Sequence, residues 1–106
     1  MKFSKFNLKK NTALITGGTG LLGTQHARAL LESGAKVVIT DIDEAKLNSF
    51  KKGLLKEFDE SKIFIEVMDV SNESSILTTL DRLTNMGLHI DILINNAGID
   101  PKVQEG

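Results

Sequence analysis

Short apolar runs and longer stretches of helical spacing alternate along this chain. Continuous apolar runs fall at residues 12–16 (Ala13, Leu14, Ile15), 36–40 (Val37, Val38, Ile39), 62–68 (Ile63, Phe64, Ile65, Val67) and 91–95 (Ile92, Leu93, Ile94). Apolar residues on consecutive positions of a strand require cover on both faces, as in a parallel sheet. Between the runs, apolar residues recur every three or four positions. Residues 20–33 place Leu22, Ala27, Leu30 and Leu31 inward, residues 44–58 place Leu47, Phe50, Leu54 and Phe58, and residues 73–86 place Ile76, Leu77, Leu80 and Leu83. Gly34 stops the first helix. The order β-α-β-α-β-α-β predicts the α/β class, with a doubly wound parallel sheet.

The first junction carries the candidate chemistry. Thr12-Ala13-Leu14-Ile15-Thr16 runs into Gly17-Gly18-Thr19-Gly20-Leu21-Leu22-Gly23, with four glycines in seven positions. A plain strand-to-helix connection needs one or two. Glycines let a backbone turn tightly and approach a diphosphate, and the helix that follows aims free N–H groups and its positive dipole end at that anion. Gly17 is expected at the tight turn, Gly20 under the diphosphate, and Gly23 where helix and strand pack closely. Leu21 and Leu22 open the helix and belong to the same site. Thr16 and Thr19 can add hydroxyl donors, although a helix N-cap is the ordinary role of Thr19.

Further candidates stand at the ends of the other strands. Asp41 and Ile42 follow the second strand, Asp41 lying 18 residues after Gly23. A carboxylate there can accept from both hydroxyls of an adenosine ribose. It would also repel an added 2′-phosphate: two unit charges about 4 Å apart interact by about 4 kcal/mol at an effective dielectric near 20. NAD is therefore favoured over NADP. Asp43 suits the N-cap of the second helix, which leaves Asp41 to the ligand. Asp69 and Val70 end the third strand, where the carboxylate can accept from an adenine amino group and the Val70 amide can face a ring nitrogen. Capping is the competing role, but Ser71 can cap the third helix alone, with Glu73 in its first turn. Asn95-Asn96-Ala97-Gly98 closes the fourth strand. The amides can tie strand ends together, and Ala97 and Gly98 let a ribose lie against bare backbone.

Composition and charge narrow the partners. With 13 Lys+Arg against 14 Asp+Glu in 106 residues, no basic excess exists to hold a nucleic acid. No apolar run approaches the roughly 20 residues of a membrane span, and residues 1–11 lack the apolar core of a secretory signal. Those residues read as a solvated N-terminal arm before a domain over 12–106. Cysteine is absent, which removes thiol chemistry and fits a reducing, cytoplasmic setting. His26 and His89 are too few for a metal site and read as surface or packing residues.

Taken together, Thr16-Gly17-Gly18-Thr19-Gly20-Leu21-Leu22-Gly23, Asp41, Asp69-Val70 and Asn95-Asn96-Ala97-Gly98 resemble the N-terminal, cofactor-binding half of a short-chain dehydrogenase/reductase. The resemblance implies a Rossmann-type sheet of strand order 3-2-1-4, built here as an incomplete half-fold, with the first two helices on one face and the third on the other. The Asn-Asn-Ala-Gly motif belongs to the compact branch of that family. The Gly-x-x-Gly-x-x-Gly spacing is typical of the extended, sugar-nucleotide-modifying branch. Ala97-Gly98-Ile99-Asp100-Pro101-Lys102-Val103 also faintly resembles dehydrogenases of bacterial flagellin modification.

In such enzymes a Tyr-x-x-x-Lys pair moves the substrate proton beyond the Asn-Asn-Ala-Gly segment. The 106 residues contain no tyrosine, so the chain is expected to carry the cofactor half alone and to be inactive by itself. The intact protein is expected to be an NAD-dependent oxidoreductase of an alcohol or ketone, acting as a homo-oligomer. A non-catalytic dinucleotide-binding module is the alternative, and a structural fragment without ligand a third. The fourth strand is expected to stand at a sheet edge with its Ile92 and Ile94 face partly uncovered.

Overall fold

The computed structural model describes residues 7–96. The elements are β1 (Thr12–Thr16), α1 (Leu21–Glu32), β2 (Lys36–Asp41), α2 (Glu44–Leu54), β3 (Ile63–Val67), α3 (Glu73–Asn85) and β4 (Ile92–Asn95), with one 3-10 turn at Glu60–Lys62 before β3. The strands form a single sheet in the order β3-β2-β1-β4, and each neighbouring pair is parallel. This is the doubly wound α/β arrangement that the strand and helix periodicities imply.

Register explains the continuous apolar runs. Leu14 stands beside Val38 and Leu93, and Val38 beside Phe64, so each row across the sheet faces one layer. Ala13, Ile15, Val37, Ile39 and Ile63 meet Ala27, Leu30 and Leu31 of α1 and Leu47 and Leu54 of α2. The opposite rows, Leu14 and Val38 with half-buried Phe64, meet Leu83 of α3 and Leu88 behind it. Central strands therefore need aliphatic side chains on both faces.

Local chemistry sets the helix limits. At the end of α1 the Gly34 N–H donates to Leu31 O at 3.0 Å and the Ala35 N–H to Leu30 O at 3.1 Å, with Gly34 at φ +94. These are the two bonds of a Schellman closure, which requires the left-handed residue. The same pair of bonds closes α3, from Gly87 to Thr84 and from Leu88 to Leu83. Asp43 caps α2 by accepting from the Lys46 N–H at 3.1 Å, as its position suggests.

Several expectations are corrected. Asn72, not Ser71, caps α3 by accepting from the Ser75 N–H. Asp69 accepts from both the N–H and the hydroxyl of Ser71, which leaves the cap to its neighbour. Leu22 is not inward: it and Leu21 are exposed at the start of α1. Leu77 and Leu80 are also exposed, while Thr79 and Leu83 are buried on the sheet side of α3. α2 ends at Leu54, and Phe58 packs on the core from the turn beyond it.

β4 lies at one end of the sheet, as expected. The Ile92 and Ile94 face is partly uncovered, as anticipated, and the opposite face is more open still. Ile92 and Ile94 are half-buried against the α1–α2 layer, and Leu93 on the α3 face is 66% exposed. Leu93 borders an apolar groove of about 480 Å³ shared with Leu14, Ile76, Leu80 and Ile90.

Candidate functional site

The strand order reverses between β1 and β4. In open α/β sheets, a ligand crevice forms at this place. The turn after β1 is folded tightly against its surroundings. Gly17 takes φ 59, and the Gly18 N–H donates to Thr40 O at 2.9 Å. A Cβ on Gly18 would lie 2.3 Å from Ile39 Cγ2, and one on Gly23 would lie 2.5 Å from Gly17 O. The close packing assigned to Gly23 is thus against the turn itself, and Gly18 supplies the approach to the sheet. The sequence pattern concealed this role of Gly18, because its neighbour Ile39 is on another strand.

α1 starts without a side-chain cap: Gly20 occupies the N-cap position, and Thr24 N–H returns to Gly20 O. The N–H groups of Leu21, Leu22 and Gly23 have no partner among the described residues. Free N–H groups at the positive end of a helix suit an anion. No acidic residue lies in this first turn to oppose one.

Asp41 closes one side of the turn. Its Oδ2 accepts from the Thr19 hydroxyl and from the Thr19 N–H at 3.2 Å, and its Oδ1 from the N–H of Ile42 at 2.7 Å. Thr19 is therefore neither an N-cap nor a free hydroxyl. Burial works to raise the Asp41 pKa, but the Thr19 hydroxyl and N–H, with the N–H groups of Asp43 and Ile42, hold it below the ordinary carboxylate value. A hollow of about 140 Å³ brings Gly17, Asp41 and Ile42 together with Met68, Asp69 and Val70. Five of these six were sequence candidates. Met68 is buried and carried no signal beyond its place at the end of the third apolar run. The Ser71 hydroxyl, then its N–H, hold the Asp69 carboxyl below its ordinary range.

The end of β4 is tied to both neighbours. The Thr16 hydroxyl donates to Asn95 Oδ1 at 2.6 Å, and the Asn96 N–H donates to Thr16 O at 3.1 Å. Thr16 is buried between strands rather than presented to a phosphate. The Asn96 side chain meets His26 of α1, Nδ2 to Nδ1, at 3.2 Å. Ala97 and Gly98, the other candidates of this segment, lie outside the described residues. Among the described residues no helix is long and apolar enough to cross a membrane, and no group of His, Asp and Glu is placed to hold a metal.

A parallel sheet of order 3-2-1-4 with a glycine turn, an uncapped helix start and an acid after β2 defines a Rossmann-type fold of the dinucleotide-binding kind. The comparisons with known proteins narrow this further. The model of the short chain dehydrogenase family matches residues 11–105, and the chain belongs to that family. It is 35% identical over 92 residues to 3β-hydroxysteroid dehydrogenase 2 of Eggerthella lenta, covering 87% of this chain and 35% of that protein. It is 34% identical over 99 residues to the Bacillus subtilis oxidoreductase YxbG, covering 93% of this chain and 34% of that protein. Among solved structures, an NADPH-bound short chain oxidoreductase of Pseudomonas aeruginosa superposes with a TM-score of 0.83 at 28% identity, covering 89% of this chain and 37% of that one. The chain spans about a third of the length of the curated relatives it matches.

The donor set fits the nicotinamide dinucleotide of this family. Uncommitted N–H groups open α1 after a glycine turn, and the Asp41 carboxylate is tied to that turn, which is the chemistry a diphosphate and a ribose require.

Proposed function

We propose that the crevice holds NAD, with its diphosphate at Gly17, Gly20, Leu21 and Leu22, while Thr19, expected at the diphosphate, instead holds Asp41 beside it. Asp41 and Ile42 take the adenosine ribose, Asp69 and Val70 the adenine, and Asn96, Ala97 and Gly98 the second ribose. The observation that carries this reading is the convergence of Gly17, Asp41, Ile42, Asp69 and Val70 on one hollow. A dinucleotide needs an anion seat, a ribose acceptor and an adenine slot next to one another, and these residues supply that series.

The ionised Asp41 favours NAD over NADP, because the 2′-phosphate would approach a like charge. The NADPH of the Pseudomonas aeruginosa protein belongs to that chain; a carboxylate at this position argues for the other coenzyme here. We assign the intact protein to hydride transfer between nicotinamide and an alcohol or ketone, with a sugar-related substrate suggested by the glycine spacing. Bound NAD supplies the hydride acceptor. The residues of this chain bind and orient it, and the proton-transfer residues lie outside these 106, which contain no tyrosine. Residues 12–106 are the cofactor-binding unit, and the segment before them is not wholly a solvated arm: Leu8 packs on the α1–α2 layer and its N–H donates to Ser33 O at 2.9 Å. The missing tyrosine also permits a second reading, a non-catalytic dinucleotide-binding module.

Titration with NADH, followed by nicotinamide fluorescence, tests the shared part of both readings. Saturable binding is expected, with no oxidation of alcohols by this chain alone. A flat titration contradicts the site, and cofactor-dependent turnover contradicts the division of labour.

A further inference from the structure

We propose that His26 is a positioning residue that locks the side-chain amide of Asn96 in one orientation at the mouth of the crevice. The inference rests on the reading of that crevice as the dinucleotide site, and adds to it a residue that no motif marked. His26 sits on α1 one turn beyond Gly23, half-buried, and Asn96 follows β4. The two are 70 positions apart and meet at 3.2 Å through Asn96 Nδ2 and His26 Nδ1.

The chemistry of the pair dictates its polarity. With the amide nitrogen placed toward Nδ1, the amide donates and the ring nitrogen accepts. The backbone of Asn96 is separately anchored, its N–H donating to Thr16 O. With main chain held by β1 and amide nitrogen held by α1, the side chain can no longer exchange its two ends. Asn96 Oδ1, which has no partner among the described residues, becomes the acceptor that Asn96 offers. A ligand at this point must then bring a donor, and a ribose hydroxyl has that chemistry. Without His26 the amide is free to present either end, and a hydroxyl loses part of its fixed acceptor.

Three variants of the full chain test this: His26→Leu, His26→Asn and, as a control elsewhere in the crevice, Asp41→Ala. Leucine keeps helix propensity but cannot accept, whereas asparagine can place its Oδ1 near the position of the imidazole Nδ1. His26→Leu should weaken NADH binding by about three- to tenfold, the weight of one hydrogen bond. It should also shift the Asn96 side-chain amide resonances in a 15N–1H spectrum. His26→Asn should restore both, with affinity within about twofold of wild type, as partial rescue by a single bond allows. If His26→Leu matches wild type in both readouts, or His26→Asn falls as far as His26→Leu, the assignment is overturned. If Asp41→Ala weakens binding while His26→Leu does not, only the role of His26 falls. If the wild-type chain binds no NADH, the reading of the crevice falls and this inference falls with it.

Discussion

The Thr19 hydroxyl donates to Asp41 Oδ2, joining the glycine turn after β1 to the end of β2. The Thr19 N–H reaches the same oxygen at 3.2 Å, while Oδ1 accepts from Ile42 at 2.7 Å and more weakly from Asp43 at 3.4 Å. These donors define the orientation of the carboxylate, and ribose hydroxyls would take the places of the longer ones, the N–H groups of Thr19 and Asp43. Thr19→Val removes the hydroxyl at nearly constant volume. The Asp41 carboxyl should then titrate at a higher pH than in the wild type, read from its side-chain carbon shift, while Thr19→Ser should leave it near the wild-type value.

Stability should follow the same carboxylate. Because the folded Asp41 value lies below the ordinary 3.8, its contribution is present above that value and lost as pH falls through the folded one. Asp41→Asn should therefore lower the urea midpoint near neutral pH, and the gap to wild type should close as the pH falls through the lowered folded-state value of Asp41. A gap that persists in acid would mean that the charge is not what stabilises the turn.

Asp41 also separates the two coenzymes. Asp41→Ala should weaken NAD binding and narrow the difference between NAD and NADP, by about tenfold or more if a contact of some 1.4 kcal/mol or greater is lost. Paired titrations of the variant and wild type measure this. An unchanged NAD/NADP ratio would remove Asp41 from the site.

Two glycines give opposite results on the same substitution. Gly23→Ala forces a Cβ to within 2.5 Å of Gly17 O, which is backbone and cannot move aside cheaply. It should destabilise by about 1–3 kcal/mol, as overpacking does. At Gly53, within α2, nothing lies within 4 Å of an added Cβ, so Gly53→Ala should stabilise by about 0.5–1 kcal/mol. Urea denaturation of both variants tests the assignment of one glycine to packing and the other to an open helix surface.

The exposed side of α3 makes a further contrast. Leu83 is 1% exposed and Leu77 is 58% exposed. Leu83→Ala should cost about 2–5 kcal/mol, and Leu77→Ala should stay within about 0.5 kcal/mol. Equal losses at the two positions would show that Leu77 is covered in solution.

What could be read from the chain divides by the range of the interactions. β1 and the Asp43 cap follow from periodicity and from bonds spanning a few residues, and both were legible, whereas the strand order came with the family resemblance. The α3 cap was misplaced by one residue, because the choice between Ser71 and Asn72 depends on Asp69 capturing Ser71 first. Leu22, Leu77 and Leu80 have the right helical spacing for burial. Spacing cannot show that no layer among the described residues covers them. The contacts at Gly18, Thr19 and His26 were invisible for another reason: their partners Ile39, Asp41 and Asn96 come from other strands, and only the assembled sheet brings them near. The glycine turn and the acids at strand ends were legible as candidates because their chemistry demands unusual residue types.

Backbone amide shifts on addition of NAD are the most direct test of the central claim. Saturable shifts are expected at Gly17, Gly20, Leu21, Leu22 and Gly23, with smaller ones at Asp41, Ile42, Asp69 and Val70, and none on the outer face of α2. Saturable shifts that leave the start of α1 untouched, or no saturable shifts at all, would contradict it.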